Sequence, residues 1–332
     1  MQKFLFSLIL GAALSLTLAK PAEATLTVFQ TFTGNVGYSM DGFGSTSNSG
    51  TISASVPAGA TVLAAYLYTS TFAFSQPPAT PGGTLNGSAV SYGPLVGYVP
   101  IPSIPSFSLQ SARADVTSIV APIINAGPGG TYNFTVTETS SFQDGEVLVV
   151  VYELPSLPVA TVGILDGFST SGGDTTSISF ADPLDPSDPS FFAEMALAIG
   201  FSAGGTQFST VAVNGTTITN VAGGFDDGAL ANGALITAGG FDDPFSPFLP
   251  SGSQDHERYN LAPYITLGDT SISIQTSNPS LDDNIFLATF FVRGEGFINE
   301  PPPPTSEVPE PYTLTLLGCG LLFFGAHLRK RT

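Results

Sequence analysis

The residues able to do chemistry in this chain are almost all carboxylates. Twenty-six Asp and Glu stand against eight Lys and Arg, and many of the acids come in pairs. Asp226–Asp227 and Asp242–Asp243 each end an Ala-Gly-Gly-Phe-Asp-Asp run; Asp282–Asp283 follows later, and Asp182, Asp185 and Asp188 form a looser run. Hard cations take clustered oxygen ligands from carboxylates and from the carbonyls of Gly-rich loops, so the three pairs are candidate calcium ligands. None has the D-x-[DN]-x-[DN]-G spacing of an EF-hand loop. The same residue types also make good turns.

Other chemistry finds little material. No G-x-S-x-G occurs, and the one histidine outside the C-terminal apolar run, His256 in Gln254-Asp255-His256-Glu257-Arg258, reads as a solvated loop residue. The only cysteine, Cys319, lies inside that apolar run, so there is no internal disulfide and no thiolate–imidazole set for zinc or copper. Glycoside hydrolysis needs two carboxylates at a set separation, and those are available. Sugar-cleaving sites usually also stack substrate on aromatic rings, and the chain has no Trp. The expectation is no catalytic residue, no certain cofactor beyond candidate calcium, and no enzyme.

The charge distribution narrows the partners. Between Thr25 and Glu307 the only cations are Arg113, Arg258 and Arg293, set against twenty-four acids, a formal charge of −21. Such a surface repels nucleic acid and anionic headgroups and attracts cations.

The elements that must position these residues read as strands. Short β-prone runs alternate with turn clusters, which points to a sandwich or barrel. Asn86-Gly87 and Asn214-Gly215 sit between such runs and suit the two positive φ angles of a type I′ hairpin turn. Landmarks repeat in order. Asp41-Gly42-Phe43 matches Asp166-Gly167-Phe168, an apolar run follows each, then an Asn-Gly hairpin, and 130–153 lies over 269–292 with the apolar alternation of its first strand one residue out. A bulge would restore that alternation. Val147–Tyr152 and Phe286–Val292 are apolar on both faces and should be central strands. Val116–Ile124 and Leu261–Ile265 should form helical turns, limited by Pro122 and Pro263. The fold class is therefore all-β: two related β-sandwich (jelly-roll-like) units, 25–157 and 158–298, the second with an inserted loop at 221–253. A Pro-rich linker follows at 299–307.

Both ends carry address-like segments. Lys3 precedes an apolar run from Phe4 to Leu18 and an A-x-A site at Ala22 and Ala24, the plan of a signal peptide over 1–24 cut by signal peptidase. At the other end Val308, Pro309, Glu310 and Pro311 precede an apolar run at 312–328 and then Arg329, Lys330 and Arg331. As a helix that run would be roughly 26 Å long, enough for a thin bilayer, with the basic residues kept on the cytoplasmic side. The pattern over 308–332 resembles the PEP-CTERM tail, a sorting signal of Gram-negative bacteria that make exopolysaccharide. That resemblance implies export, transient residence of a transmembrane helix in the inner membrane, and processing near Val308–Pro311 by an exosortase. The body resembles a group of uncharacterised exported β-sandwich domains of bacterial surface proteins, through Ala65-Tyr66-Leu67-Tyr68, Ala114-Asp115-Val116-Thr117, Gly145–Glu153 and Ile164–Phe168.

The expected function is that of a non-enzymatic β-sandwich protein of the cell surface or extracellular matrix, associated with exopolysaccharide. The alternative is a carbohydrate-binding or adhesive module using Phe225, Phe241 and Phe245. Ice binding is disfavoured because no regular Thr ladder runs through the chain, and glycan hydrolysis for the reasons given.

Overall fold

The computed structural model describes residues 26–44, 47–73, 81–93, 95–100, 108–140, 142–169, 173–200, 209–223, 235–278 and 284–302. The expected signal helix, the transmembrane run at 312–328 and the sorting motif lie outside the described residues. Among the described residues no helix is long and apolar enough to cross a membrane.

The first half runs β1 (Thr27–Gly34), β2 (Val36–Phe43), β3 (Ser49–Val56), β4 (Thr61–Ala73), β5 (Gly83–Leu85), β6 (Ser88–Val90), β7 (Leu95–Pro100), β8 (Ser108–Asp115), α1 (Thr117–Asn125), β9 (Gly130–Glu138) and β10 (Gln143–Glu153). The second half runs β11 (Ala160–Asp166), β12 (Asp174–Phe180), β13 (Ala193–Gly200), β14 (Ser209–Val213), β15 (Thr216–Ala222), β16 (Ile236–Ala238), β17 (Arg258–Asn260), β18 (Ser271–Ser277), β19 (Asn284–Arg293) and β20 (Gly296–Ile298). The fold is all-β, and its sheets pack as in a sandwich.

Sheet order reproduces the repeat seen in the sequence. One sheet is ordered β2-β10-β4-β8-β7 and its counterpart β11-β19-β13-β16, with β17 also on β13. The partner sheets are ordered β3-β9-β5-β6 and β12-β18-β14-β15 in the same sense. The Asn-Gly hairpins occupy corresponding places, with φ of +49° and +75° at Asn86 and Gly87 and +48° and +78° at Asn214 and Gly215. β10 and β19 are central in their sheets, as their two-sided apolar character requires. The register of β10 on β4 slips between Gln143 and Gly145, and that of β13 on β19 slips between Ala198 and Ile199. Phe134 and Val136 are buried in β9, whereas Ile272 and Ile274 are buried in β18, so the faces match one residue off the ungapped alignment.

Three cores separate four layers. One lies between the β3 and β2 sheets, around Leu67, Phe134 and Leu148; another lies between the β11 and β12 sheets, around Leu197, Ile272 and Phe290. The third joins the two inner sheets through Met40, Tyr68, Val149, Val162, Ala198 and Phe286. The units thus stack into one continuous body. β1 pairs with β11, so the first strand of the chain extends the sheet built by the second half.

Candidate functional site

Of the predicted cation ligands, Asp242 and Asp243 are described; Asp226, Asp227, Asp282 and Asp283 lie outside the described residues. Asp243 Oδ2 accepts the Gly240 N–H at 2.7 Å, closing a turn whose Phe241 N–H donates to Met40 O at 2.8 Å. That turn brings a third acid close. A Cβ placed on Gly240 would lie 2.8 Å from Asp242 Oδ1, 3.0 Å from Asp243 Oδ2 and 3.5 Å from Asp41 Oδ1. Asp41 is buried and accepts N–H groups from Gly42 at 2.9 Å and Ser53 at 2.5 Å. Burial raises its pKa to about 7 against those two hydrogen bonds, and the charges of Asp242 and Asp243 add to the rise. Among the described residues no group of three or more His, Cys, Asp or Glu is placed to hold a metal ion.

His256, expected to be solvated, is half-buried between two fully buried acids, Asp255 and Glu257. Tyr259 OH bridges them, 2.5 Å from Asp255 Oδ1 and 2.9 Å from Glu257 Oε2. Thr219 and Ser246 hydroxyls also donate to Asp255, and the Gly223 N–H donates to Glu257 at 2.8 Å. Burial raises the Asp255 pKa, and those hydrogen bonds restrain the rise. The network fastens both ends of the inserted segment to β15 and β17.

The three arginines of the body are spent on structure. Arg113 pairs with Asp166 and lies 3.3 Å over the Phe29 ring. Arg258 donates to Glu194 at 3.0 Å and to the carbonyls of Phe241 and Asp243, with its guanidinium 4.6 Å from the Phe245 ring centre. Arg293 donates to Ser190 O at 3.0 Å.

The densest reactive cluster was not singled out in the sequence. Glu138, Asp144 and Glu146 are buried at the end of the first sandwich, together with Thr69 and Gln143. Glu146 stands opposite Thr69 across the β10–β4 ladder. Gln143 Nε2 donates to Thr69 Oγ1 at 3.3 Å and to Glu146 Oε1 at 3.1 Å, while its Oε1 accepts the Gly82 N–H at 3.2 Å. Glu138 lies near enough to Glu146 for its charge to oppose ionisation of Glu146. Burial raises all three acids: Glu138 to about 7, Glu146 with the further influence of Glu138, and Asp144 likewise. Oε1 of Glu138, Oδ2 of Asp144 and Oε2 of Glu146 are buried and reach no donor among the described residues. The signal available in the sequence was acids at 138, 144 and 146 within runs otherwise fit for a core.

Open depressions flank the two hairpins. The first lies between Asn86–Ser91 and α1; the second is lined by Asn214, Thr216, Phe248, Tyr264 and Asp269. Phe248, 59% exposed, stands 6.3 Å from the Tyr264 ring.

Residues 307–331 match the model of the PEP-CTERM protein-sorting motif. No curated protein and no solved structure matches the chain.

Proposed function

We propose, from the PEP-CTERM sorting motif at residues 307–331 as premise, that this is a non-enzymatic structural protein of the cell surface or extracellular matrix. The motif marks the chain for an exosortase system that delivers it to the cell envelope or surface. In this reading signal peptidase cuts after Ala24, the tail lodges transiently in the inner membrane, and the mature body associates with exopolysaccharide. The motif is the observation that carries the reading. The body supports it: a continuous four-layer β stack, three arginines used as internal ties, and acids that are buried, with no open cleft over them among the described residues. Export is tested by truncating the chain after Ser306 in the producing organism. The full chain should reach the surface with its tail processed, and the truncated chain should be lost from the surface fraction. Surface delivery without the tail, or an intact chain free in the cytoplasm, overturns the reading.

A second reading, a carbohydrate-binding module, is favoured by exposed Phe248 beside half-buried Tyr264, in a depression lined also by Asn214, Thr216 and Asp269. Of the aromatics expected for that role, Phe245 packs under Arg258, Phe241 is tied to β2 through its backbone, and Phe225 lies outside the described residues. Glycan binding abolished by Phe248→Ala would establish it; binding unaffected by that change would dismiss this site.

A further inference from the structure

The Thr69–Gln143–Glu146 cluster has the parts of an acyl-transfer site, closed inside a core. A nucleophile needs a hydroxyl beside an electrophilic carbonyl carbon, a donor for the oxygen that becomes negative, and a group that takes one proton and returns another. Thr69 supplies the hydroxyl, 3.3 Å from the Gln143 carboxamide nitrogen. The Gly82 N–H already donates to the carboxamide oxygen. Gly82 is held in place by the Thr139 N–H, which donates to its carbonyl at 3.0 Å. Glu146 accepts from the carboxamide N–H, so it touches the group that would leave. Tyr92 packs against this core and interacts with Thr69, Glu138 and Glu146.

We propose that Thr69 and Gln143 form an intramolecular ester, made by the folded chain itself, that joins β4 covalently to β10. Thr69 Oγ1 attacks Gln143 Cδ once the Gln143 side chain shifts so that the face of its carboxamide meets the hydroxyl. The Oγ1–Cδ bond forms and the Cδ–Nε2 bond breaks. The hydroxyl turns from the Gly145 carbonyl, to which it donates at 3.0 Å, to Glu146 on the opposite strand; Glu146 takes its proton and returns one to the departing nitrogen. Ammonia leaves, Glu146 regains its starting charge, and no oxidant or co-reactant is consumed. The reaction occurs once per molecule, so it involves no turnover of a substrate.

Two further observations favour reaction over a passive network. First, the polarity is not demanded by the fold. At the corresponding place in the second unit, Ile199 stands opposite Ile285, and both are fully buried. Second, the site is dry. Thr69 and Glu146 are at most 1% exposed, so water that would hydrolyse the ester is excluded. The body has no lysine for an amide cross-link and no cysteine pair for a disulfide. The inference does not depend on where the protein is sorted.

The test is peptide mass spectrometry of the mature chain purified from producing cells and cleaved at aromatic and acidic residues. The expected result is one linked pair containing Thr69 and Gln143, lighter than the sum of its parts by about 17 Da, the mass of ammonia. Thr69→Val should abolish the link, and Glu146→Gln should lower the linked fraction at least roughly tenfold, an acid–base contribution within the usual range. If either variant fails to fold, the wild-type chain still decides. Separate peptides overturn the proposal, whether Gln143 is intact or deamidated, and a link from Gln143 to Thr71 overturns the choice of nucleophile.

Discussion

Arg113 of β8 and Asp166 at the end of β11 form an ion pair that ties the two inner sheets together. Tyr68 OH also donates to Asp166 at 3.2 Å, and the Phe29 ring of β1 covers the guanidinium. Asp166 opens one copy of the repeated Asp-Gly-Phe landmark, so the cation of the first half is matched to a carboxylate of the second. Removing one partner of such a pair leaves an uncompensated charge. Arg113→Met should lower stability by about 3 kcal/mol, and Arg113→Lys should restore only part of it because the planar stacking is lost. Thermal melts of the two variants check this; equal melting of wild type and Arg113→Met would show that the tie is idle.

Gly200 meets Ser70 where the central strands of the inner sheets approach. A Cβ on Gly200 would lie 2.2 Å from Ser70 Oγ and 3.1 Å from its Cβ. Gly200→Ala should therefore cost roughly 1–3 kcal/mol through overpacking. Ser70→Gly in the same chain should recover a large part, because it removes both clashing atoms. Urea denaturation of both variants measures the coupling, and additive effects would argue against this contact.

Burial of Glu138, Asp144 and Glu146 sets a pH dependence with a definite sign. Their folded pKa values are raised, Glu138 to about 7, whereas unfolded carboxyls titrate near 4. The folded state holds extra protons in that interval, so stability is greatest below the unfolded values and declines as pH rises through the folded ones. The urea midpoint should be higher at pH 5 than at pH 8, by an amount on the order of 2 kcal/mol. Glu146→Gln should flatten the profile; an unchanged slope would place the titration elsewhere.

Tyr259 OH lies within hydrogen-bond distance of two buried acids, and its one hydrogen is donated to only one of them at a time. Tyr259→Phe leaves Asp255 and Glu257 without that donor and should destabilise by about 2 kcal/mol. Because the network fastens the inserted segment, hydrogen exchange at Thr219–Ala222 and Arg258–Asn260 should rise well before global unfolding. Protection unchanged at those amides would mean that the segment is held by its apolar contacts alone.

The sequence by itself determined the local features. Strand alternation gave an all-β body, Asn-Gly gave two type I′ hairpins, the ordered landmarks gave a repeat, and the C-terminal motif gave an address. These rest on interactions a few residues apart, where side-chain period and turn chemistry are nearly sufficient. Tertiary structure alone decided which faces meet. An alternating strand specifies one buried face but not its partner. The pairing of β1 with β11, the apposition of the inner sheets and the Arg113–Asp166 tie therefore had no local signature. The same holds for the acids. Glu146 in Asp144-Gly145-Glu146-Val147 looks like a charged strand end, and only its position opposite Thr69, beneath Glu138, makes it a buried acid. Asp255 and Glu257, read as part of a charged loop, are buried because Thr219 and Gly223 arrive from more than thirty residues away to meet them beside Tyr259.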